Sequence, residues 1–287
     1  MRNINEHNLT DIVTQHIKAD TPRTQEVFEK LIKHLHAFVR DLEPTEAEWL
    51  QAIEFLTATG KMCSDTRQEF ILLSDVTGVS MLVDAINHRH TQGVTETTVK
   101  GPFHAQANHY PMGANIAQGQ EASRGQPTIV RGKIVNQQNE PIANAVIDVW
   151  QADDVGYYDL QDQKMPDANL RGVFTTDHTG TFWFKTIKPA SYPIPDDGPV
   201  GNMLRQTGRH PNRPAHIHFW VQAEGYRQLI THLFVNDDQY LDSDVVFGVK
   251  ESLILDFNLN QNQADAEKWG VTAPFYDVVH DFTLAGQ

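Results

Sequence analysis

Hydrophobic residues in the first hundred positions recur at helical spacing. The clearest segment runs from Thr21 to Leu42, where apolar residues return every three or four positions and Pro22 suits the first turn. Thr45 and Glu48 then form a capping-box signature for a second helix, which we expect to end at Gly60. Two shorter helices are predicted from about Thr66 to Leu73 and from Ser80 to His90.

Beyond Gln126 the pattern changes from helical to strand-like. Short runs rich in Val, Ile, Phe and Thr alternate with clusters of Gly, Pro, Asn and Asp, which are typical of turns. The predicted hairpins pair 128–135 with 145–151, 173–176 with 181–186, and 215–222 with 228–235, and a closing strand covers 277–284. The chain is therefore predicted to be α+β, with a helical domain over residues 1–100 and an antiparallel β-sandwich over 101–287.

Composition and charge exclude several classes of protein. The net charge of -14 argues against nucleic acid as a partner, because phosphate binding needs clustered Lys and Arg. Cys63 is the single cysteine, so an intramolecular disulfide and a cysteine-rich metal site are excluded. The polar N-terminus lacks the features of a secretory signal, and no apolar run reaches the roughly 20 residues that span a bilayer. We expect a cytoplasmic protein without membrane insertion.

Two histidines share one face of a predicted strand. In the strand around His216 and His218, alternation places both imidazoles on the face opposite Ile217. They could bind one metal ion, or they could simply be polar groups on a half-exposed strand. Arg213, three residues earlier, could hold an anionic substrate or form a surface salt bridge.

Two tyrosines lie in loops that follow predicted strands. Tyr158 follows the strand that ends at Gln151, and Tyr192 follows the second hairpin. Most turn tyrosines only pack a ring and keep the hydroxyl in water, so each one alone is weak evidence for a site. Combined with the two histidines they would form a set of hard phenolate and imidazole ligands, which favours trivalent iron.

These residues occur in motifs that resemble the intradiol ring-cleaving dioxygenases, the catechol 1,2-dioxygenase family. The resemblance spans nearly the whole chain and is carried by Val149 to Asp153 with Gly156 to Tyr158, by Tyr192 to Pro195, and by Arg213 to Phe219. It implies one Fe(III) per subunit, bound by Tyr158, Tyr192, His216 and His218. The family's Gly-x-Tyr pattern selects Tyr158 over its neighbour Tyr157. The resemblance also implies a homodimer formed through the helical domain.

The same resemblance assigns catalytic roles. Tyr192 would leave the metal when the diol binds, so that it can accept a substrate proton. Arg213 would stabilise the negative charge that develops on the ring. His232 stands where catechol-cleaving relatives generally carry glutamine. The implied reaction uses O2 to cleave an aromatic diol between its hydroxyl-bearing carbons, giving a cis,cis-muconate-type product.

Several details resemble the subgroup that cleaves hydroxyquinol, 1,2,4-trihydroxybenzene, to 3-hydroxy-cis,cis-muconate or maleylacetate. They are the runs from Leu72 to Asp75, Gly101 to His104 and Tyr192 to Gly201. Asp75 could bind the third hydroxyl of this triol, or it could be an ordinary helix cap. The positions expected to bind substrate are Leu72, Asp75, Val99, Gly101, Pro102, Phe103, Ile194, Pro195, Arg213 and Val246. Lys100 stands among them where an apolar residue is expected.

Other functions stay open at this stage. Catechol or a substituted catechol is the alternative substrate for the same chemistry. A transthyretin-like binding module would share the sandwich without a metal site. A cupin-type enzyme would add Glu224 and His232 to the histidine pair. The family resemblance further implies a phospholipid in an apolar tunnel between subunit helices, although the apolar faces from Val27 to Leu56 also suit ordinary helix packing.

Overall fold

The computed structural model describes residues 3–65, 67–89, 92–162 and 164–287. The described chain forms two compact units, one up to Ala58 and the other from Thr59 to Gln287. The helices are α1 (Leu9–Gln15), α2 (Pro22–Leu42), α3 (Glu46–Met62), α4 (Glu69–Val76), α5 (Val79–His88), α6 (Glu121–Arg124), α7 (Pro199–Gln206) and α8 (Gln263–Trp269). Along these described residues, no helix combines the length and the apolar content that crossing a bilayer requires.

The predicted starts of the two long helices are confirmed. The Thr21 side chain accepts a hydrogen bond from the backbone N–H of Thr24, and α2 begins at Pro22. At α3 the backbone N–H of Thr45 donates to Glu48 at 2.8 Å, and Thr45 Oγ1 accepts from the Glu48 N–H at 3.3 Å, which completes the capping box. The predicted end at Gly60 is wrong, because α3 continues through it to Met62.

The shorter helices are shifted relative to their predicted positions. The predicted limits Thr66 and His90 lie outside the described residues. Gly78, at a φ of 75°, separates α4 from α5 in a left-handed conformation that suits glycine. As a result Asp75 lies inside α4, near its C-terminal end, and the alternative that it caps a helix start is wrong.

The strands are β1 (Pro127–Asn136), β2 (Val146–Gln151), β3 (Arg171–Thr175), β4 (Thr181–Ile187), β5 (Tyr192–Pro193), β6 (Asn212–Arg213), β7 (His216–Gln222), β8 (Leu229–Val235), β9 (Ile254–Leu255), β10 (Asn258–Asn260), β11 (Phe275–Val279) and β12 (Phe282–Leu284). One sheet has β1 paired with β4, β11 and β12, and β10 beyond β11. The second has the order β3-β2-β7-β8-β9, and β5 and β6 form a separate ribbon.

The apolar core lies between the two five-stranded sheets. The first sheet contributes Phe182 and Phe184 from β4, and the second contributes Ile217 and Phe219 from β7, all at most 1% exposed. This burial confirms the predicted α+β protein with a β-sandwich. Most pairs are antiparallel as expected, but β1 pairs in parallel with β11 and β12, and β8 pairs in parallel with β9.

Two of the three predicted hairpins are wrong. β1 and β2 lie in different sheets, because β1 pairs with β4 whereas β2 pairs with β3 and β7. The proposed pair of β3 and β4 is split between the sheets in the same way. A turn sequence marks a reversal of the chain but not the new partner, and in a sandwich the reversed chain can cross to the opposite sheet. The third hairpin, β7 with β8, is confirmed.

Candidate metal centre and substrate pocket

Three imidazoles converge on the face of the second sheet that points away from the sandwich core. Alternation along β7 places His216 and His218 on this face, and the register with β8 sets His232 directly opposite His218. All three side chains are at most 1% exposed. Their potential ligand atoms lie within 4.8 Å of one another. The prediction that the two β7 histidines point together is therefore confirmed, and His232 joins them.

The nitrogen and oxygen atoms are close enough to share one ion. His216 Nε2 and His218 Nε2 are 3.1 Å apart, and the Tyr158 hydroxyl is 3.0 Å from His218 Nε2. His216 Nδ1 lies 2.7 Å from the carbonyl oxygen of Pro214. Because a carbonyl can only accept, Nδ1 carries the hydrogen, and the lone pair of Nε2 faces the cluster.

The loop conformation brings the two tyrosines together. Gly156 has a φ of 91°, and a Cβ added there would lie 2.8 Å from the Ser191 carbonyl oxygen and 3.0 Å from Tyr192 Cβ. Only glycine permits this close approach without displacement of the backbone. The rings of Tyr158 and Tyr192 are 5.2 Å apart and nearly perpendicular. Tyr158 is fully buried whereas Tyr157 is 51% exposed, which supports the choice made from the Gly-x-Tyr pattern.

A buried ion pair fixes Arg213 beside the cluster. The β5 and β6 ribbon places Tyr192 opposite Arg213. The guanidinium donates to both carboxylate oxygens of Asp244, at 3.1 and 3.3 Å, and its Nη1 is 3.3 Å from His216 Nε2. The backbone N–H of Gly248 also donates to Asp244. The surface salt bridge considered for Arg213 is thus wrong, since both partners of the pair are buried.

Burial sets the protonation of these groups. Desolvation lowers the pKa of His216 to about 3 and that of His218 and His232 well below the usual value, so all three imidazoles are neutral near pH 7. Desolvation, with the neighbouring Tyr192, raises the pKa of Tyr158 well above its usual value. In Asp244 burial opposes ionisation, but the charge and hydrogen bonds of Arg213, together with smaller contributions from His216 and the Gly248 N–H, outweigh it and lower the pKa.

A cavity of about 330 Å³ contains half of the residues predicted to bind substrate. Those that line it are Leu72, Asp75, Pro102, Phe103 and Pro195. The Phe103 ring also stacks on Tyr158, with centroids 4.6 Å apart, so the cavity adjoins the tyrosine and histidine cluster. Burial raises the pKa of Asp75, which is 6% exposed.

The other predicted substrate residues surround the cluster without lining this cavity. Ile194 and Val246 are buried in the apolar group that includes both tyrosines. Gly101 approaches His218, where an added Cβ would be 3.4 Å from Cε1. The backbone of Val99 lies beside His232. Lys100 does not line the cavity, and its ammonium lies 4.2 Å from the centre of the Trp220 ring.

Sequence reasoning missed two neighbours of the cluster. Asp244 is 31 positions from Arg213 and belongs to no motif that would reveal the ion pair. Trp150 stacks on His218 with an interplanar angle of 13°. The sequence indicated Trp150 only as part of the run from Val149 to Asp153 and did not reveal this contact. Glu224, the acidic ligand of the cupin alternative, is exposed between β7 and β8 and is not part of the described histidine group.

Comparison with known proteins assigns the chain to a family. The family model "Dioxygenase" matches residues 99–286, and the model "Catechol dioxygenase N terminus" matches residues 21–95. The chain belongs to the intradiol ring-cleavage dioxygenases. It is 50% identical to the hydroxyquinol 1,2-dioxygenase of Rhizobium sp. (strain MTP-10005), over 98% of this chain and 96% of the relative.

Two further relatives are similarly close. The 6-chlorohydroxyquinol 1,2-dioxygenase of Cupriavidus pinatubonensis is 52% identical over 90% of this chain and 93% of its own. The crystal structure of hydroxyquinol 1,2-dioxygenase from Pseudomonas putida DLL-E4 matches with a TM-score of 0.91 and 45% identity, covering 98% of this chain and 99% of the other. An intradiol dioxygenase of this kind, and neither a cupin nor a binding module, is therefore the class of this protein.

Intradiol dioxygenases depend on non-haem iron, and the donor set fits such an ion. Two atoms that bind one ion at about 2.1 Å, roughly at right angles, lie about 3 Å apart, which matches the spacing of the two Nε2 atoms. The imidazoles are neutral, as ligands must be. Among the described residues no hydrogen bond of ordinary geometry reaches His218 Nδ1 or either nitrogen of His232, so buried nitrogens at the site remain available to a ligand.

Proposed function

We propose that this protein cleaves the ring of hydroxyquinol with O2, giving 3-hydroxy-cis,cis-muconate or its tautomer maleylacetate. The observation that carries this choice is the buried carboxylate of Asp75 in the cavity that adjoins the tyrosine and histidine cluster. The hydroxyquinol and chlorohydroxyquinol dioxygenases among its relatives support the same substrate class. Catechol, or a substituted catechol, is the alternative substrate.

One Fe(III) per subunit would be held by Tyr158, Tyr192, His216 and His218. Ferric iron, when bound, would lower the pKa of phenols and diol hydroxyls and withdraw electron density from the aromatic ring. Without a cation the buried Tyr158 stays protonated, because desolvation raises its pKa. The tyrosines are therefore expected to give the loaded protein a tyrosinate-to-iron charge-transfer band in the visible range.

Tyr192 is the proposed acceptor for a substrate proton. Its ring is 5.6 Å from that of His216 and 5.2 Å from that of Tyr158, and it is carried by the two-residue strand β5 and not by a sheet of the sandwich. Because β5 belongs to neither sheet of the sandwich, displacement of the Tyr192 side chain would break no pairing within those two sheets. In this proposal the released phenolate takes one hydroxyl proton of the diol.

Arg213 would stabilise negative charge on the substrate. Asp244 holds its guanidinium on one side, while Nη1 lies beside His216. Because this ion pair already fixes the orientation of the guanidinium, the cation would not need to reorient during the reaction. His232 is proposed to face the reacting atoms as well, because it lies beside the two β7 histidines and neither of its ring nitrogens bonds a described side chain.

Asp75 would select the third hydroxyl. Asp75 lines the cavity at 6% exposure and has one side-chain hydrogen bond, with Ser80, although a carboxylate can accept several. A triol can donate its extra hydroxyl to this group, whereas catechol leaves it without that bond. Loss of a hydrogen bond to a buried charged group costs about 1.5–3 kcal/mol, equivalent to roughly ten- to a hundredfold in kcat/KM.

We also propose that residues 1–100 form the linker and dimerisation domain and residues 101–287 the catalytic domain, in a homodimer. Apolar side chains along α2 are 45–60% exposed, which favours association with a second copy: Val27, Phe28, Leu31, Leu35, Phe38, Val39 and Leu42. A phospholipid chain is the further ligand proposed for this face. Light scattering would measure the mass, and extraction with organic solvent would release the lipid for mass spectrometry. A monomer without lipid would contradict both proposals.

A substrate panel tests the function. The iron-loaded protein would be given hydroxyquinol, catechol and 4-chlorocatechol, and both O2 consumption and product absorbance would be recorded. We expect kcat/KM for the triol to exceed that for catechol by at least about tenfold. Faster turnover of catechol would reject the triol as the preferred substrate, and no ring cleavage of any diol would reject the function.

The Asp75→Asn variant isolates the proposed contact. The amide keeps the shape of the carboxylate but accepts a weaker hydrogen bond, so kcat/KM for hydroxyquinol should fall about tenfold and that for catechol by less than about threefold. Glu69→Gln provides a matched control, because Glu69 is also a buried acid of α4 beside the cavity but is already paired with Arg67. If the two variants change the triol-to-catechol ratio equally, Asp75 does not select the substrate.

A further inference from the structure

The segment from Gly101 to His104 lies against the candidate iron ligands. Gly101 approaches His218, and Phe103 stacks on Tyr158 with an interplanar angle of 18°. His104, the last residue of the segment, has no part in the proposed reaction. It is nevertheless held in place, because its Nε2 is 2.8 Å from Asp148 Oδ2.

The hydrogen bond between His104 and Asp148 is partly shielded from water. Their side chains are 19% and 16% exposed. A carboxylate oxygen can only accept, so Nε2 of His104 carries the hydrogen. With that bond in place the His104 ring meets Trp150 edge-on, with centroids 4.7 Å apart and an interplanar angle of 74°. It meets Trp220 in a similar way at 5.3 Å.

Trp150 contacts both His104 and the candidate ligand His218. The register of β2 with β7 sets Trp150 opposite His218 and Asp148 opposite Trp220. The indole lies flat on the His218 imidazole, with centroids 4.6 Å apart and a 13° angle between the planes. His104 therefore contacts the same indole ring that stacks on His218.

The two β7 histidines are oriented by different means. The His216 ring is fixed by its Nδ1 hydrogen bond to the carbonyl oxygen of Pro214. Metal-binding histidines usually have such a bond on the second nitrogen, and it sets the plane and tautomer of the ring. His218 Nδ1 has none within the part of the chain that the structure describes. Its plane is set by ring packing instead.

We propose that His104 is a positioning residue for His218. Its hydrogen bond to Asp148 fixes Trp150, and the Trp150 ring then holds the imidazole plane of His218 toward the cluster. The proposal rests on the proposed function, since it takes His218 as an iron ligand. It assigns to the His104–Asp148 pair the orienting role that the Pro214 carbonyl has for His216.

The variants His104→Gln and His104→Asn test this role. The Gln amide nitrogen can reach the position of Nε2 and keep the bond to Asp148, whereas the shorter Asn side chain cannot. We expect iron loss to a chelator to be about tenfold faster in His104→Asn than in wild type and within about threefold of wild type in His104→Gln. The charge-transfer band should shift only in His104→Asn, and kcat should fall there with KM changed less than about twofold.

Controls separate this role from general stability. His178→Asn changes an exposed histidine of the β3–β4 turn and should leave iron loss and the band unchanged. Equal iron loss in His104→Asn, His104→Gln and wild type would overturn the positioning role. If His104→Asn gives no folded protein, Asp148→Asn weakens the same bond at constant volume, and unchanged iron loss in that variant would overturn the role too. Wild-type protein that binds no iron would instead contradict the proposed function.

Discussion

In the first half of strand β7 the two faces are equally buried but chemically opposite. Ile217 and Phe219 point into the sandwich core and are 0% exposed, while His216 and His218 point away and are 1% exposed. On the core face both side chains belong to one cluster of buried apolar residues, and their packing accounts for the arrangement. On the other face the Nε2 atoms of His216 and His218 lie 3.1 Å apart, and the second ring nitrogen of His218, Nδ1, has no hydrogen-bond partner among the described residues.

The difference indicates that the core face stabilises the fold, whereas the histidine face carries the functional groups. Burying neutral imidazoles and a phenol without full hydrogen bonding is destabilising, so such a face persists only when the core supplies the stability. Packing on the core face therefore fixes the position of the strand, and the strand in turn orients the histidine side chains on the other face. Variants on the two faces should accordingly change different properties.

The largest effect is expected on the histidine face at Tyr158. Tyr158→Phe removes the hydroxyl that lies 3.0 Å from His218 Nε2 and leaves the buried ring in place. We expect kcat to fall by at least about 10³-fold, with loss of iron, because a ligand is removed. Iron content, visible absorbance and turnover would be measured together. Tyr157→Phe is the matched control, since that neighbouring ring is 51% exposed, and an equal loss in the control would reject Tyr158 as the ligand.

A smaller effect, on stability instead of chemistry, is expected on the core face. Phe219 contacts the rings of Phe182, Phe184 and Phe282 from the opposite sheet. Phe219→Ala should lower the free energy of unfolding by about 3–5 kcal/mol, because it leaves a cavity between the sheets. Urea unfolding would measure this loss. Turnover per bound iron should stay within about threefold of wild type, and a much larger fall would mean that the two faces are not separable.

Alternation made the histidine face predictable from the sequence. The i, i+2 spacing of His216 and His218 fixes their common face wherever the segment is a strand, and the Thr21 and Thr45 caps similarly locate α2 and α3 from local hydrogen bonds. These inferences succeed because they depend on neighbours within a few positions. The roles of the ligands in iron binding stay predictions until the variants are tested.

Pairing between distant strands was beyond this reasoning. The sequence around Asn136 to Glu140 predicts a turn, and the chain does reverse there, since Val135 bridges Pro141. It does not indicate that β2 then joins the other sheet, because partner choice depends on how all strands share one core. The same limit hid Asp244, whose pairing with Arg213 depends on the folded loop after β8. Likewise, the sequence alone did not place Asp75 inside α4.

The smallest effect is expected at His232, through pH. In the iron-free protein the folded-state pKa values of His216, His218 and His232 lie below the unfolded value of 6.5. The unfolded chain therefore binds more protons as pH falls, and stability that is present above pH 6.5 is lost on acidification toward about pH 3, the value for His216.

Each histidine contributes a slope on the order of 1 kcal/mol per pH unit within this window. His232→Leu should reduce the slope by the contribution of one histidine, on the order of 1 kcal/mol per pH unit, which urea unfolding between pH 7 and pH 5 would measure. At pH 7 the variant should be at least as stable as wild type, because the removed ring nitrogens make no hydrogen bond of ordinary geometry with the described chain. His178→Leu, at an exposed turn, should follow the wild-type curve, and an unchanged slope in His232→Leu would show that the cluster is not buried in the neutral form.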